Sequence, residues 1–150
     1  MTNYFPSMEH IRRRVAWVNE AAAGAVCGDL RMEVLSGDEN RGEYLFLCHT
    51  TPVMRNVIHT LHGGSVALVA DQAMGSVANS MFQEDGHAPT SQLSVNFHRP
   101  MSAGDDLNVR VQIINASKRL IHLSCEICRA EAPDKLCATA HSIFFRTGKE

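Results

Sequence analysis

The chain has 150 residues, a formal net charge of −2 and a hydrophobic share of 45%. That length suits one domain with one core, 1–150, its first 27 residues being a helical extension. The near-balanced charge gives no global electrostatic case for nucleic acid or an anionic membrane. No apolar run is long enough to span a bilayer. Met1 to Ser7 lack a basic stretch followed by an apolar core, so no signal peptide is expected and a cytoplasmic setting is the default.

The first predicted element is a helix after Pro6, with Ser7 as N-cap and Met8, Ile11, Val15, Val18 and Ala22 at helical spacing. Arg12, Arg13 and Arg14 bunch on it and read as a solvated face, or more weakly as a site for acidic groups. Gly24 and Gly28 close the element. Leu30–Leu35 alternates as a strand, 36–42 is turn-rich, and Glu43–His49 returns, which makes a hairpin. An irregular connection from Thr50 to Thr60 carries Pro52 and Asn56.

From Ser65 to Met81 the sequence is rich in Ala, Val and Met, has no Pro and exceeds strand length, so it predicts a long helix with Gly63 and Gly64 at its start. The segment 84–89 separates it from four predicted strands: 91–97, 107–113, 120–129 and 136–146. In the last, Ile143 and Phe145 should share one face and Phe144 the other. Helix, two strands, long helix and four strands show no βαβ alternation. The expected class is therefore α+β, an antiparallel sheet with the long helix on its concave face.

The five cysteines are Cys27, Cys48, Cys125, Cys128 and Cys137. Their odd number and the lack of a secretion signal argue for reduced thiols. Cys125 and Cys128 sit three apart on a strand, so they point to opposite faces and are poorly placed to chelate a metal. Cys125 should pack in the core with Ile121, Leu123 and Ile127. The histidines form no ligand set with acidic support, and no metal is expected.

On a wheel of the long helix, Ser65, Gln72, Ser76, Asn79 and Ser80 form one polar stripe. Asp71 lies outside it, beside Ala67, Leu68, Met74, Gly75 and Ala78. A carboxylate there needs a partner, a raised pKa or a chemical task. A fold-stabilising Asp bonded to a neighbouring loop accounts for it equally well. The two glycines leave the first helical N–H groups uncovered and let the backbone approach another group closely.

Asn56, His62-Gly63-Gly64 and the helical Asp71, followed by Thr90-Ser-Gln-Leu-Ser-Val-Asn-Phe-His-Arg-Pro100 and the turn Gly104-Asp105, resemble the hotdog-fold acyl-CoA thioesterases of the phenylacetic-acid-pathway (PaaI-like) type. The likeness runs roughly from Gly28 to Thr147. It implies hydrolysis of acyl-CoA to free acid and coenzyme A, without a cofactor. It also implies a hotdog fold and a site at the interface of a homodimer or homotetramer. In that reading the Gly63 N–H polarises the thioester carbonyl, and Asp71 is general base on water or nucleophile through a mixed anhydride. Asn56 and His62 position the carbonyl or water, and the Thr90 hydroxyl contacts Asp71 or the water. Gly64 and His59 lie beside the substrate. Lys118 and Arg119 meet coenzyme A phosphates, although a solvated turn explains those two equally well.

Geometry adds a demand of its own. Gly63 and Asp71 are eight residues apart, about 12 Å along a helix, whereas a reacting carbon lies roughly 3–3.5 Å from its attacker. One helix cannot present both groups to one thioester; two antiparallel helices related by a two-fold axis can. A non-catalytic acyl-CoA sensor on the same fold would need no carboxylate at position 71. A hotdog hydratase or dehydratase would place its His and acid in motifs not found here. The acyl group itself is not legible in these residues.

Overall fold

The structure is a computed structural model that describes residues 5–82 and 87–147. The predicted break at 84–89 thus falls partly outside the described residues.

Helix α1 spans Met8–Ala21, capped by the Ser7 side chain, which accepts from the His10 N–H. Ile11 and Val15 are its buried stripe. Asn19 bonds both backbone groups of Met32 at 2.8 and 3.1 Å, which docks α1 on the first strand. That strand, β1, runs Arg31–Asp38 and pairs with β2, Glu43–His49. The pair is the predicted hairpin, but β1 continues three residues past Leu35 through a register shift between Val34 and Ser36. A short 3-10 turn at Pro52–Met54 interrupts the connection to helix α2, Gly63–Asn79. Strands β3 (Thr90–Phe97), β4 (Asp106–Ala116), β5 (Leu120–Arg129) and β6 (Leu136–Phe145) follow.

All six strands form one antiparallel sheet in the order β1-β2-β4-β5-β6-β3. The inward residues meet in rows. Phe46, Val109, Ile127, Ala138 and Phe97 are successive partners from β2 to β3. Against these rows α2 buries Val69, Ala70, Ala73, Met74 and Val77 completely. Small residues at 70 and 73 let the helix axis approach the sheet closely. This is the hotdog arrangement, a sheet wrapped around a central helix, with α1 as an extra helix packed on β1 and α2.

The alternations read from sequence hold. Cys125 is buried beside Ile121, Leu123 and Ile127, and Phe144 points inward while Phe145 is exposed. Two strand edges remain at the ends of the order: β1, on which α1 docks, and β3. Among the described residues no helix is long and apolar enough to cross a membrane.

Candidate active site

The start of α2 is built around its cap. His62, in extended backbone at φ −61° and ψ 137°, accepts the Gly64 N–H on Nδ1 at 2.9 Å. That bond requires an unprotonated Nδ1, so the neutral ring carries its hydrogen on Nε2. The N–H groups of Ser65 and Val66 bond to the His62 carbonyl. The Gly63 N–H has no hydrogen-bond partner among the described residues. It is the free donor at the positive end of a 17-residue helix. A Cβ at Gly64 would come within 3.1 Å of His62 Nδ1, so glycine there preserves the cap.

Asn56 organises the loop before this cap. Its Oδ1 accepts from the N–H groups of Ile58 and Thr60, and its Nδ2 donates to Thr60 Oγ1 at 2.8 Å. One amide hydrogen is left over. His59 occupies the left-handed region at φ 66°, and Arg55 Nη1 lies 3.0 Å from its Nδ1. The Val57 and Ile58 side chains are exposed at the loop tip.

Asp71 sits midway along α2, half-buried, with its Oδ1 accepting a 2.7 Å bond from Thr90 Oγ1 at the start of β3. Its other oxygen has no partner among the described residues. Thus the carboxylate has the partner its helix position demanded, and half of it remains available. Asp71 opens onto two adjoining concavities, one shared with His62 and Leu68, the other running beneath α1. Gly63 opens onto a different one, beside Phe97, which is 59% exposed. Within one protomer the donor and the carboxylate therefore face separate spaces.

The polar stripe of α2 is not a solvent face. Ser76 and Ser80 are buried, and each hydroxyl donates to a carbonyl one turn back, Gln72 O and Ser76 O. Asn79 bonds Gly75 O and clasps the backbone of Ala88. Arg12 and Arg13 are exposed as expected, but Arg14 turns inward, donates to Asn79 O at 3.2 Å and lies 5.4 Å from the Trp17 ring centroid. Trp17 and Val18 join it in covering the groove beside Asp71, a role sequence reasoning missed. The signal was the recurrence of Arg14, Trp17, Val18 and Ala21 at i, i+3, i+4 and i+7.

Lys118 and Arg119 lie in the turn from β4 to β5. The register Thr90–Phe144–Ile121 places that turn at the Thr90 end of the sheet.

The site and fold together describe a hotdog protein with an uncovered helix start and a helical carboxylate. The family model of the Thioesterase superfamily matches residues 59–136, and the chain belongs to that family. It is 29% identical over 115 residues to the bovine (Bos taurus) acyl-coenzyme A thioesterase THEM4; the match takes in 77% of this chain and 45% of the relative. The chain therefore spans less than half the length of that curated relative. Among solved structures it resembles the E. coli PaaI protein from the phenylacetic acid degradation operon, with a TM-score of 0.70 and 25% identity over 92% of this chain and 96% of that one. A Streptococcus mutans UA159 protein solved bound to acetyl CoA shares the fold, with a TM-score of 0.67 and 21% identity, covering 80% of this chain and 91% of that one.

Proposed function

We propose that the protein hydrolyses acyl-CoA thioesters to free acid and coenzyme A, at a site completed by a second copy of the chain. The observation that carries this reading is the Asp71 carboxylate, fixed through one oxygen by Thr90 and free through the other in an open groove. Family membership and the acyl-CoA thioesterase relative support the same reaction.

In this mechanism the thioester carbonyl oxygen accepts the Gly63 N–H, which strengthens as negative charge develops on the oxygen. Asp71 takes a proton from the attacking water, or itself attacks the carbonyl carbon to give an anhydride that water then opens. The C–S bond breaks, the acid keeps the new oxygen, and the thiolate takes up a proton in solvent. A thiolate needs no strong acid to leave. His62 serves by holding the helix start, and the remaining Asn56 amide hydrogen serves the carbonyl or the water. Gly64 and His59 border the substrate, and Lys118 and Arg119 meet the coenzyme A phosphates.

The second copy follows from the separation of Gly63 and Asp71. Among the described residues the outer edge of β3 pairs with no strand, and it ends on exposed Phe97. Such an edge is a template for another strand. Pairing two β3 edges antiparallel would lay two α2 helices antiparallel and set Gly63 of each protomer opposite Asp71 of the other. A homodimer is the smallest assembly with this property, and a homotetramer of such dimers retains it.

The test is a panel of acyl-CoA thioesters with free-thiol detection, run beside the matching oxygen esters. Thiol release from thioesters well above ester turnover supports the proposal. Ester turnover at equal rates, or no thiol release from any member, rejects it.

A further inference from the structure

The groove beneath α1 has a volume of about 350 Å³ and begins at Asp71. The geometry points to this groove as the seat of the acyl group and to Gly75 as the residue that sets how bulky that group is. The inference rests on the thioesterase reading and deepens it.

Gly75 lies one turn beyond Asp71 on the same face, about 6 Å along the axis. It lines the groove together with Phe144. Glycine is the least favourable residue short of proline in a helix interior, so its presence mid-helix calls for a reason. Packing within the fold does not supply one. Among the described residues a Cβ built on Gly75 meets only the Phe144 ring, at 3.4 and 3.7 Å, which is ordinary contact. Its φ is not in the left-handed region either. What an added side chain would remove is space in the groove.

The chemistry of the walls fixes the class of acyl group. The polar side chains there are largely tied to backbone carbonyls: Ser76 to Gln72, Asn79 to Gly75, and Arg14 to Asn79. Gln72 and His87 also border the groove, and the rest of what it offers a ligand is the apolar surface of Trp17, Val18, Ala21 and Phe144. At the ~30 Å³ that a water-sized group occupies, the volume admits about twelve heavy atoms. The acyl group assigned is therefore uncharged and mainly apolar, an aromatic acyl or a medium alkyl chain, with its carbonyl at Asp71 and its tail over Gly75, where Gln72 and His87 can meet at most one polar atom of it.

The test uses non-hydrolysable thioethers of coenzyme A, octyl and ethyl, titrated calorimetrically into the full chain, its Gly75→Ala and Gly75→Leu variants, and read beside thiol release. The wild type should bind the octyl thioether at least tenfold tighter than the ethyl one. Gly75→Leu should lower that ratio at least tenfold. Gly75→Ala should lower it about threefold while its melting temperature stays equal or rises, so it carries the test if the leucine variant does not fold. A ratio near one in the wild type, or a ratio unchanged in both variants, overturns the inference. Discrimination that follows the prediction without thiol release from any acyl-CoA would reject the hydrolase reading and leave the acyl groove standing.

Discussion

Thr90 Oγ1 donates a 2.7 Å hydrogen bond to Asp71 Oδ1, so the first residue of the edge strand β3 orients the carboxylate in the middle of the central helix. The bond holds one oxygen and leaves the other without a partner among the described residues. It also predicts how the two residues respond to substitution.

Asp71→Asn keeps the shape of the side chain and an oxygen that can accept from Thr90, but removes the carboxylate that the proposed mechanism uses as base or nucleophile. We expect kcat to fall by the ~10²–10⁴-fold typical of general base catalysis. The melting temperature should hold or rise, because an ionised group leaves a partly buried site. An Asp whose task is purely structural would give the reverse: lower stability and activity that tracks the folded fraction. Measuring both on one sample separates the two.

Thr90→Val is nearly isosteric and removes only the hydroxyl. Hydrogen bonds to charged groups contribute about 1.5–3 kcal/mol. Loss of this one should cost roughly tenfold or more in kcat, with KM changed less. Thr90→Ser restores the donor and should recover most of kcat. A loss confined to KM, or no rescue by serine, would remove Thr90 from the positioning role.

His62 caps α2 through Nδ1. His62→Ala should therefore lower stability by about 1 kcal/mol, the usual value of an N-cap. His62→Asn, a strong capping residue, should regain it. Chemical denaturation of the three proteins at one pH reads this directly.

His49 predicts a pH dependence away from the site. Partial burial pulls its pKa down, but Asp106 at 2.7 Å and Glu33 at 3.0 Å, one on each ring nitrogen, outweigh this and raise it above the ordinary value. A raised folded-state pKa contributes stability that is fully present below the unfolded value of about 6.5 and is lost as pH rises through the folded pKa. The melting-temperature advantage of wild type over His49→Gln should thus be largest below pH ~6.5 and shrink above it. A constant or growing advantage contradicts the assignment.

The elements that place the site were legible because their signals are local. The composition of 65–81 specified α2, its two glycines marked the exposed start, and the alternations in β4 to β6 specified inward faces that the structure reproduces. Other features depend on docking, which periodicity does not encode. Ser36, Gly37 and Asp38 favour a turn, yet Gly37 and Asp38 pair with Tyr44 and Glu43, so the ladder with β2 overrides their preference. Ser76, Ser80 and Asn79 form the polar stripe seen in the sequence, and their side chains bond back to the helix and to Ala88, which lets the two serines be buried. Arg14 shares a helix face with Trp17, Val18 and Ala21, but its partner, the Asn79 carbonyl, comes from the C-terminus of α2 and is set by docking. The residue types of the site were read through the family resemblance; spacing alone demanded the second helix.

The central claim, that Gly63 of one protomer works with Asp71 of the other, is tested most directly by subunit mixing. Gly63→Pro removes the N–H in question at the first helical position, where proline is favoured, and His62 before it already has the extended backbone that proline requires. Gly63→Pro and Asp71→Asn should each be nearly inactive alone. Co-expressed in equal amounts with different tags, they should recover about a quarter of wild-type activity, because half the dimers are hybrids and each hybrid holds one intact site. Hybrid dimers, purified through both tags, that are no more active than the two variants apart would contradict the account.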